Sequence, residues 1–212
     1  METLLKKGQT LLFQGDSITD CNRDRDDISS LSDGYAGMVA KMYNSLIPDN
    51  NITFINKGIS GNRVIDLLER YEDDFKAINP DFISILIGIN DTWRRYKNND
   101  PTSTESFEKS YRELLANIKK DMPSCKILMI EPFVLNSLPD RRAWREDLDP
   151  KINVVRELAK EFADYYLPLD GILAKTEVEK YNCKELAPDG VHPSELGHNV
   201  IAEEYMNILT KS

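Results

Sequence analysis

Three kinds of side chain in this sequence could together run acyl transfer: a serine, a histidine and an acid. Ser17 follows a short apolar run and a glycine in Leu11-Leu12-Phe13-Gln14-Gly15-Asp16-Ser17-Ile18-Thr19-Asp20. A buried strand that stops at a glycine can turn sharply and deliver a nucleophile to the rim of a sheet. Histidine is scarce, with only His192 and His198 in 212 residues. Asp189 stands three positions before the first of them, in Asp189-Gly190-Val191-His192-Pro193. An acid placed this way on a loop can hold one imidazole nitrogen while the other takes the proton of a serine attacking a carbonyl. Each residue also has a bland reading. Serine is a good helix N-cap, and His192 is a loop histidine near a helix start. His198, inside the expected last helix, reads as structural or surface.

Attack on a carbonyl creates an oxyanion, and losing one of its donors typically costs about 10²–10³ in rate. The backbone N–H groups of Ser17 and Gly61 and the side-chain amide of Asn90 suit that task. Asn90 could instead bond its own backbone as a turn residue. Trp93 and Arg94 come just after it and could touch a sugar, the indole on its C–H face and the guanidinium on its hydroxyls. The other reading is a tryptophan packed under the loop with a solvated arginine. Trp144 reads as a packing residue.

Five apolar stretches are expected to form the strands that position these groups: the run ending at Gly15, then 52–58, 82–88, 126–130 and 166–169. Helical spacing places helices at 34–43, about 62–78, from Ser103 to about Met122, up to about Asp164, and from Pro193 onward. Strands alternating with crossover helices predict a parallel sheet with helices on both faces. Gly15-Asp16-Ser17, Gly58-Ile59-Ser60-Gly61 and Gly88-Ile89-Asn90-Asp91 then share one edge of that sheet and can converge.

A chain of 212 residues, 41% hydrophobic and 30% charged, has the size and balance of one globular domain. Its formal net charge of −9 argues against nucleic acid and anionic membrane surfaces as partners. Cys21, Cys125 and Cys183 are odd in number and widely spaced, as free thiols in a reducing compartment would be. Neither an apolar run of signal length at the amino terminus nor a spanning segment of about 20 apolar residues is evident, so a cytoplasmic location is expected. The phosphate-binding, dinucleotide-binding and metal-ligand spacings fail, as does the Gly-x-Ser-x-Gly elbow.

In order and over nearly the whole chain, Gly15-Asp16-Ser17, the turn at Gly61, Gly88-Ile89-Asn90-Asp91 and Asp189-Gly190-Val191-His192 resemble the four blocks of the SGNH (GDSL) hydrolase superfamily. The resemblance implies a three-layer α/β/α, flavodoxin-like domain over residues 1–212 with five parallel strands, and a serine esterase that needs no metal or other cofactor. It gives Ser17 the nucleophile's role, completes the triad with Asp189 and His192, and assigns the oxyanion hole to Ser17, Gly61 and Asn90. A narrower likeness lies in Gly15-Asp16-Ser17-Ile18-Thr19-Asp20-Cys21, Asn56-Lys57-Gly58-Ile59-Ser60-Gly61-Asn62 and Gly88-Ile89-Asn90-Asp91-Thr92-Trp93-Arg94. These are similar to the intracellular acetylxylan esterases, homo-oligomers up to octamers that deacetylate xylo-oligosaccharides. The likeness implies an acetylated carbohydrate substrate and a homo-oligomer. The chain departs from that group at Ala187-Pro188, where an aromatic is expected beside the triad acid. Two alternatives are a lipid-directed esterase, thioesterase or lysophospholipase on the same scaffold, and a carbohydrate-binding protein without catalysis.

Overall fold

Phe82–Leu86 is apolar on both faces apart from Ser84, and such a strand must be covered on both sides. A computed structural model describes residues 3–210 of the chain and places this strand, β3, at the centre of a five-stranded parallel sheet. The others are β1 (Thr10–Gly15), β2 (Thr53–Asn56), β4 (Lys126–Ile130) and β5 (Tyr165–Leu167), in the order β2-β1-β3-β4-β5. Side chains alternate along β3: Phe82 and Leu86 enter one core, Ile83 and Ile85 the other.

In chain order the helices are α1 (Ser17–Asp20), α2 (Tyr35–Leu46), α3 (Val64–Glu69), α4 (Ile89–Asn98), α5 (Thr104–Asp121), α6 (Arg141–Phe162), α7 (Leu169–Glu179), α8 (Cys183–Leu186) and α9 (Glu195–Leu209). Tyr35, Val39 and Tyr43 of α2 and Ile201, Tyr205 and Leu209 of α9 cover the Phe82 face. Val64 and Leu67 of α3 and Phe107, Tyr111 and Leu115 of α5 cover the Ile83 face. Each such fully buried side chain contributes about 1.5–3 kcal/mol. The chain is thus a three-layer α/β/α fold of flavodoxin-like strand order, as the resemblance implied.

From β1 the chain moves outward to β2, then crosses back to β3 on the other side of β1. The loops after β1 and β3 therefore diverge at a topological switch point, where open α/β sheets leave a crevice. Register aligns Gly15 with Leu86, so β1 and β3 end level beneath that crevice, while β2 ends two residues earlier, at Asn56 opposite Phe13.

Elements differ from expectation in three respects. The helix expected over 62–78 is α3 followed by a wider π-type turn, Glu72–Lys76. The wide turn buries Phe75 and brings the Asp74 carbonyl to within 2.7 Å of Gln14 Nε2. β2, β3 and β5 each stop two residues short of the expected end, at Asn56, Leu86 and Leu167, the last where Pro168 follows. Helices α4, α7 and α8 were not anticipated. α4 buries Ile89, Asn90, Asp91 and Thr92 and packs Trp93 and Tyr96 on the same core, so its apolar residues do recur at helical spacing, but its buried first turn is largely polar.

Candidate active site

The site begins where β1 runs out of sheet. Gly15 passes so close to its neighbours that a Cβ would stand 2.4 Å from the Leu86 carbonyl oxygen and 2.3 Å from Thr19 Oγ1. Glycine is needed there for β1 to end against β3. Asp16 then caps α1, its Oδ1 accepting the Ile18 N–H at 3.0 Å. The N-cap role therefore falls to Asp16, and Ser17 is the first helical residue. Its N–H is among those a helix leaves without an internal partner.

Ser17 Oγ lies 3.0 Å from His192 Nε2, and His192 Nδ1 lies 2.7 Å from Asp189 Oδ2. Asp189 Oδ1 accepts the backbone N–H groups of Val191 at 2.9 Å and His192 at 2.8 Å. Burial acts to raise the Asp189 carboxyl, but these bonds and the one from the His192 ring outweigh it and hold the group well below the usual carboxylate range. An ionised carboxylate only accepts, so the ring proton sits on Nδ1 and the Nε2 lone pair faces the serine hydroxyl. The hydrogen bond to Asp189 raises the imidazole pKa and outweighs burial, which lowers it.

The loop that carries the acid is fastened to the segment after β4. Leu135 N–H donates to the Gly190 carbonyl at 2.8 Å and Ser137 Oγ–H to the Ala187 carbonyl at 2.6 Å. Gly190 has φ +85°, and a Cβ there would stand 2.4 Å from the Leu135 carbonyl oxygen. A side chain at this position would push the loop off its support.

Gly61, on the loop after β2, and Asn90, in the first turn of α4, share one cleft with Ser17. Asp20, on α1 itself, grips the first of these: its Oδ2 accepts the Ser60 N–H at 2.9 Å, the Ser60 hydroxyl at 2.7 Å and the Arg25 guanidinium. Burial raises the Asp20 carboxyl, yet those donors more than offset it and its pKa is lowered. Arg94 Nη2 donates to the Gly61 carbonyl at 3.0 Å and fixes that peptide from the other side. Asn90 Nδ2 donates one hydrogen to the Asn62 carbonyl at 3.0 Å, leaving its second for the cleft. Beneath them lie two buried acids. Burial pushes the Asp16 carboxyl up to about 7 and that of Asp91 up to about 6.

Ser17, Gly61, Asn90 and His192 open onto one cleft of about 490 Å³, with Ile18, Cys21, Asn22, Ser60, Trp93, Pro193 and His198 completing its walls. That volume suits a small ligand such as an acyl group with its alcohol. A depression of about 750 Å³ adjoins the cleft through Cys21 and Asn22 and another of about 570 Å³ lies elsewhere, and neither contains Ser17 or His192. Trp93 meets the His192 ring edge-on at 5.8 Å and Trp144 at 5.2 Å, so it both lines the cleft and packs on a fully buried indole. Arg94 is not among the cleft-lining residues; its guanidinium is engaged with Gly61 and, at 3.8 Å, Asp100. His198 is buried, and burial pushes its pKa down to about 4. Its Nδ1 accepts the Tyr35 N–H at 3.1 Å, and its Nε2 faces Cys21 Sγ at 3.5 Å.

Asp16, Asp20, Asp91 and Ser137 lie under or brace the site and escape the reading of sequence alone. Asp16 carries a visible signal, an acid just before a helical turn. Ser60, held by Asp20, and Ala187, held by Ser137, lie 40 and 50 residues away in sequence, and no local pattern announces them. Among the described residues, no three His, Cys, Asp or Glu side chains cluster as metal ligands would.

Residues 13–200 match the model of the GDSL-like Lipase/Acylhydrolase family. The chain is 34% identical over 208 residues to an acetylxylan esterase of Geobacillus stearothermophilus, covering 94% of this chain and 93% of that protein. The crystal structure of the Geobacillus enzyme superposes with a TM-score of 0.88 at 32% identity, covering 98% and 97% of the two chains. A protein of Parabacteroides merdae described as a GDSL-like lipase gives 0.91 at 32% identity, covering 99% of each.

Proposed function

The chain belongs to the GDSL-like lipase/acylhydrolase family, and from that premise we propose that it is a serine esterase removing acetyl groups from a carbohydrate. The observation that carries this reading is the unbroken chain Ser17 Oγ–His192–Asp189, at 3.0 and 2.7 Å, opening into a small cleft beside neutral N–H donors.

In this reading His192 Nε2 removes the proton from Ser17 Oγ as the oxygen attacks the acetyl carbonyl. Negative charge gathers on the carbonyl oxygen and is met by the N–H groups of Ser17, Gly61 and Asn90. The tetrahedral intermediate collapses, the sugar oxygen takes the proton from His192, and acetyl-Ser17 remains. Water, deprotonated by the same imidazole, releases acetate and restores the hydroxyl. Asp189 keeps the ring in the required tautomer and stabilises the imidazolium. Trp93 offers an indole to the sugar ring at the mouth of the cleft. The Geobacillus enzyme, described in a solved structure as an acetyl-xylooligosaccharide esterase, makes acetylated xylo-oligosaccharide the first substrate to test.

Hydrolysis of p-nitrophenyl acetate should be far faster than that of the octanoate, and Ser17→Ala should abolish both. A preference for the octanoate would instead indicate a lipid-directed esterase, and turnover of neither would indicate a binding protein. Acetate release from acetylated xylo-oligosaccharides, set against other acetylated sugars, identifies the alcohol. We also propose a single catalytic domain over residues 1–212 and a cytoplasmic homo-oligomer. Three free thiols, Cys21, Cys125 and Cys183, support the compartment, and light scattering tests the assembly.

A further inference from the structure

Arg141 opens α6 and is 3% exposed, although it carries a permanent charge. Desolvating a guanidinium is costly unless fixed partners compensate it. Helix stability is not the reason for it, because the macrodipole is positive at a helix N-terminus and disfavours a cation there. Apart from the adjacent Asp140, its partners belong to the neighbourhood of the site. Nε donates to the Asp189 carbonyl at 2.7 Å, and Nη1 lies 3.0 Å from both carboxylate oxygens of Asp140. Cζ stands 4.0 Å from the ring centroid of Trp144 and 5.2 Å from that of Trp93. Both indoles are thus held by one planar cation. The aliphatic stem lies against Gly190, where a Cβ would stand 3.0 Å from Arg141 Cγ.

We propose that Arg141 is a positioning residue: through the Asp189 carbonyl and the Trp93 ring it locks the Asp189–His192 loop to the cleft wall, so that the imidazole meets Ser17. This rests on the triad reading above. A loop released from that lock keeps its sequence and its carboxylate but loses alignment, and misplacement of about 1 Å can cost about 100-fold in rate.

The chain's only tryptophans are Trp93 and Trp144, so tryptophan emission reports on this cluster alone. The test uses the full chain with p-nitrophenyl acetate. Arg141→Ala should lower kcat by about 10- to 100-fold with KM changed by less than about twofold. Its tryptophan emission should shift, and millimolar guanidinium should restore kcat and emission together. Ammonium at equal ionic strength should restore neither. Arg141→Lys keeps the charge without the planar fork and should lose about tenfold in kcat. If Arg141→Ala fails to fold by circular dichroism, Arg141→Lys decides by its kcat. A folded variant with kcat within about threefold of wild type overturns the proposal. So does a loss in Arg141→Ala that guanidinium does not reverse. Ser17→Ala in the same assay separates the two readings: if it stays active the triad is wrong, whereas if it is dead and Arg141→Ala is not, only the role of Arg141 falls.

Discussion

Replacing Asp189 with asparagine changes one oxygen to an NH₂ group, and the site's hydrogen bonds dictate where that group must point. Oδ1 of Asp189 accepts two backbone N–H groups, at 2.9 and 2.8 Å. An asparagine in the same rotamer must put its carbonyl oxygen there, because a flipped amide would confront both donors with another donor, costing about 1–3 kcal/mol for each one left unpaired. The NH₂ then occupies the Oδ2 position, 2.7 Å from His192 Nδ1. Since NH₂ donates, Nδ1 must accept, and the neutral ring carries its proton on Nε2. Nε2 then presents an N–H to Ser17 Oγ at 3.0 Å and has no lone pair to receive the hydroxyl proton. Asp189→Asn is therefore expected to lower kcat by about 10⁴-fold, roughly 5 kcal/mol of transition-state stabilisation. KM should change little, because Asp189 does not line the cleft. The assay is the initial rate of p-nitrophenyl acetate hydrolysis across the substrate range. Circular dichroism confirms that the variant is folded. A folded Asn variant retaining more than about a tenth of wild-type kcat would refute the tautomer argument.

Base catalysis needs neutral His192, whose pKa is raised by Asp189, so kcat/KM should fall on an acid limb with its midpoint above about 6.5. A flat profile between pH 5 and 8 would remove His192 from the base's role. Stability runs the other way. A raised imidazole stabilises fully below its unfolded pKa and stops doing so as pH rises through the folded one, while lowered Asp189 keeps its contribution until strongly acid pH. The Tm advantage of wild type over His192→Gln should thus be larger at about pH 5.5 than at about pH 8. It should shrink with salt, because the His192 side chain is 49% exposed. Asp20→Ala removes the grip on Ser60 and should lower kcat by about 10- to 100-fold through a loosened Gly61, read by steady-state kinetics and by the labelling rate of Ser17 with an organophosphate. Unchanged labelling would show that Asp20 holds nothing the nucleophile needs.

Much of this protein is legible in its linear order, because strands and the turns that end them are local events. An apolar run, the glycine that halts it and the polar residues after it lie within ten positions, as in 11–20 and 82–91. That is enough for five strands, their parallel arrangement and the candidacy of Ser17, Gly61, Asn90, Asp189 and His192. It also suffices for the family, whose blocks are such strand ends. Helix α4 is only half legible: Ile89, Trp93 and Tyr96 recur at helical spacing, but Asn90, Asp91 and Thr92 fill its buried first turn, where a helix ordinarily buries apolar side chains. Whether Ser17 caps α1 or faces the cleft is decided only when Asp16 is seen to accept the Ile18 N–H. The same holds for Arg94, turned onto the Gly61 carbonyl, and for Trp93, pinned between Trp144 and His192. Ser17 and His192 are 175 positions apart and Arg141 and Asp189 48 apart. Contacts over such separations are set by how the helices pack on the sheet, and no stretch of neighbouring residues encodes them.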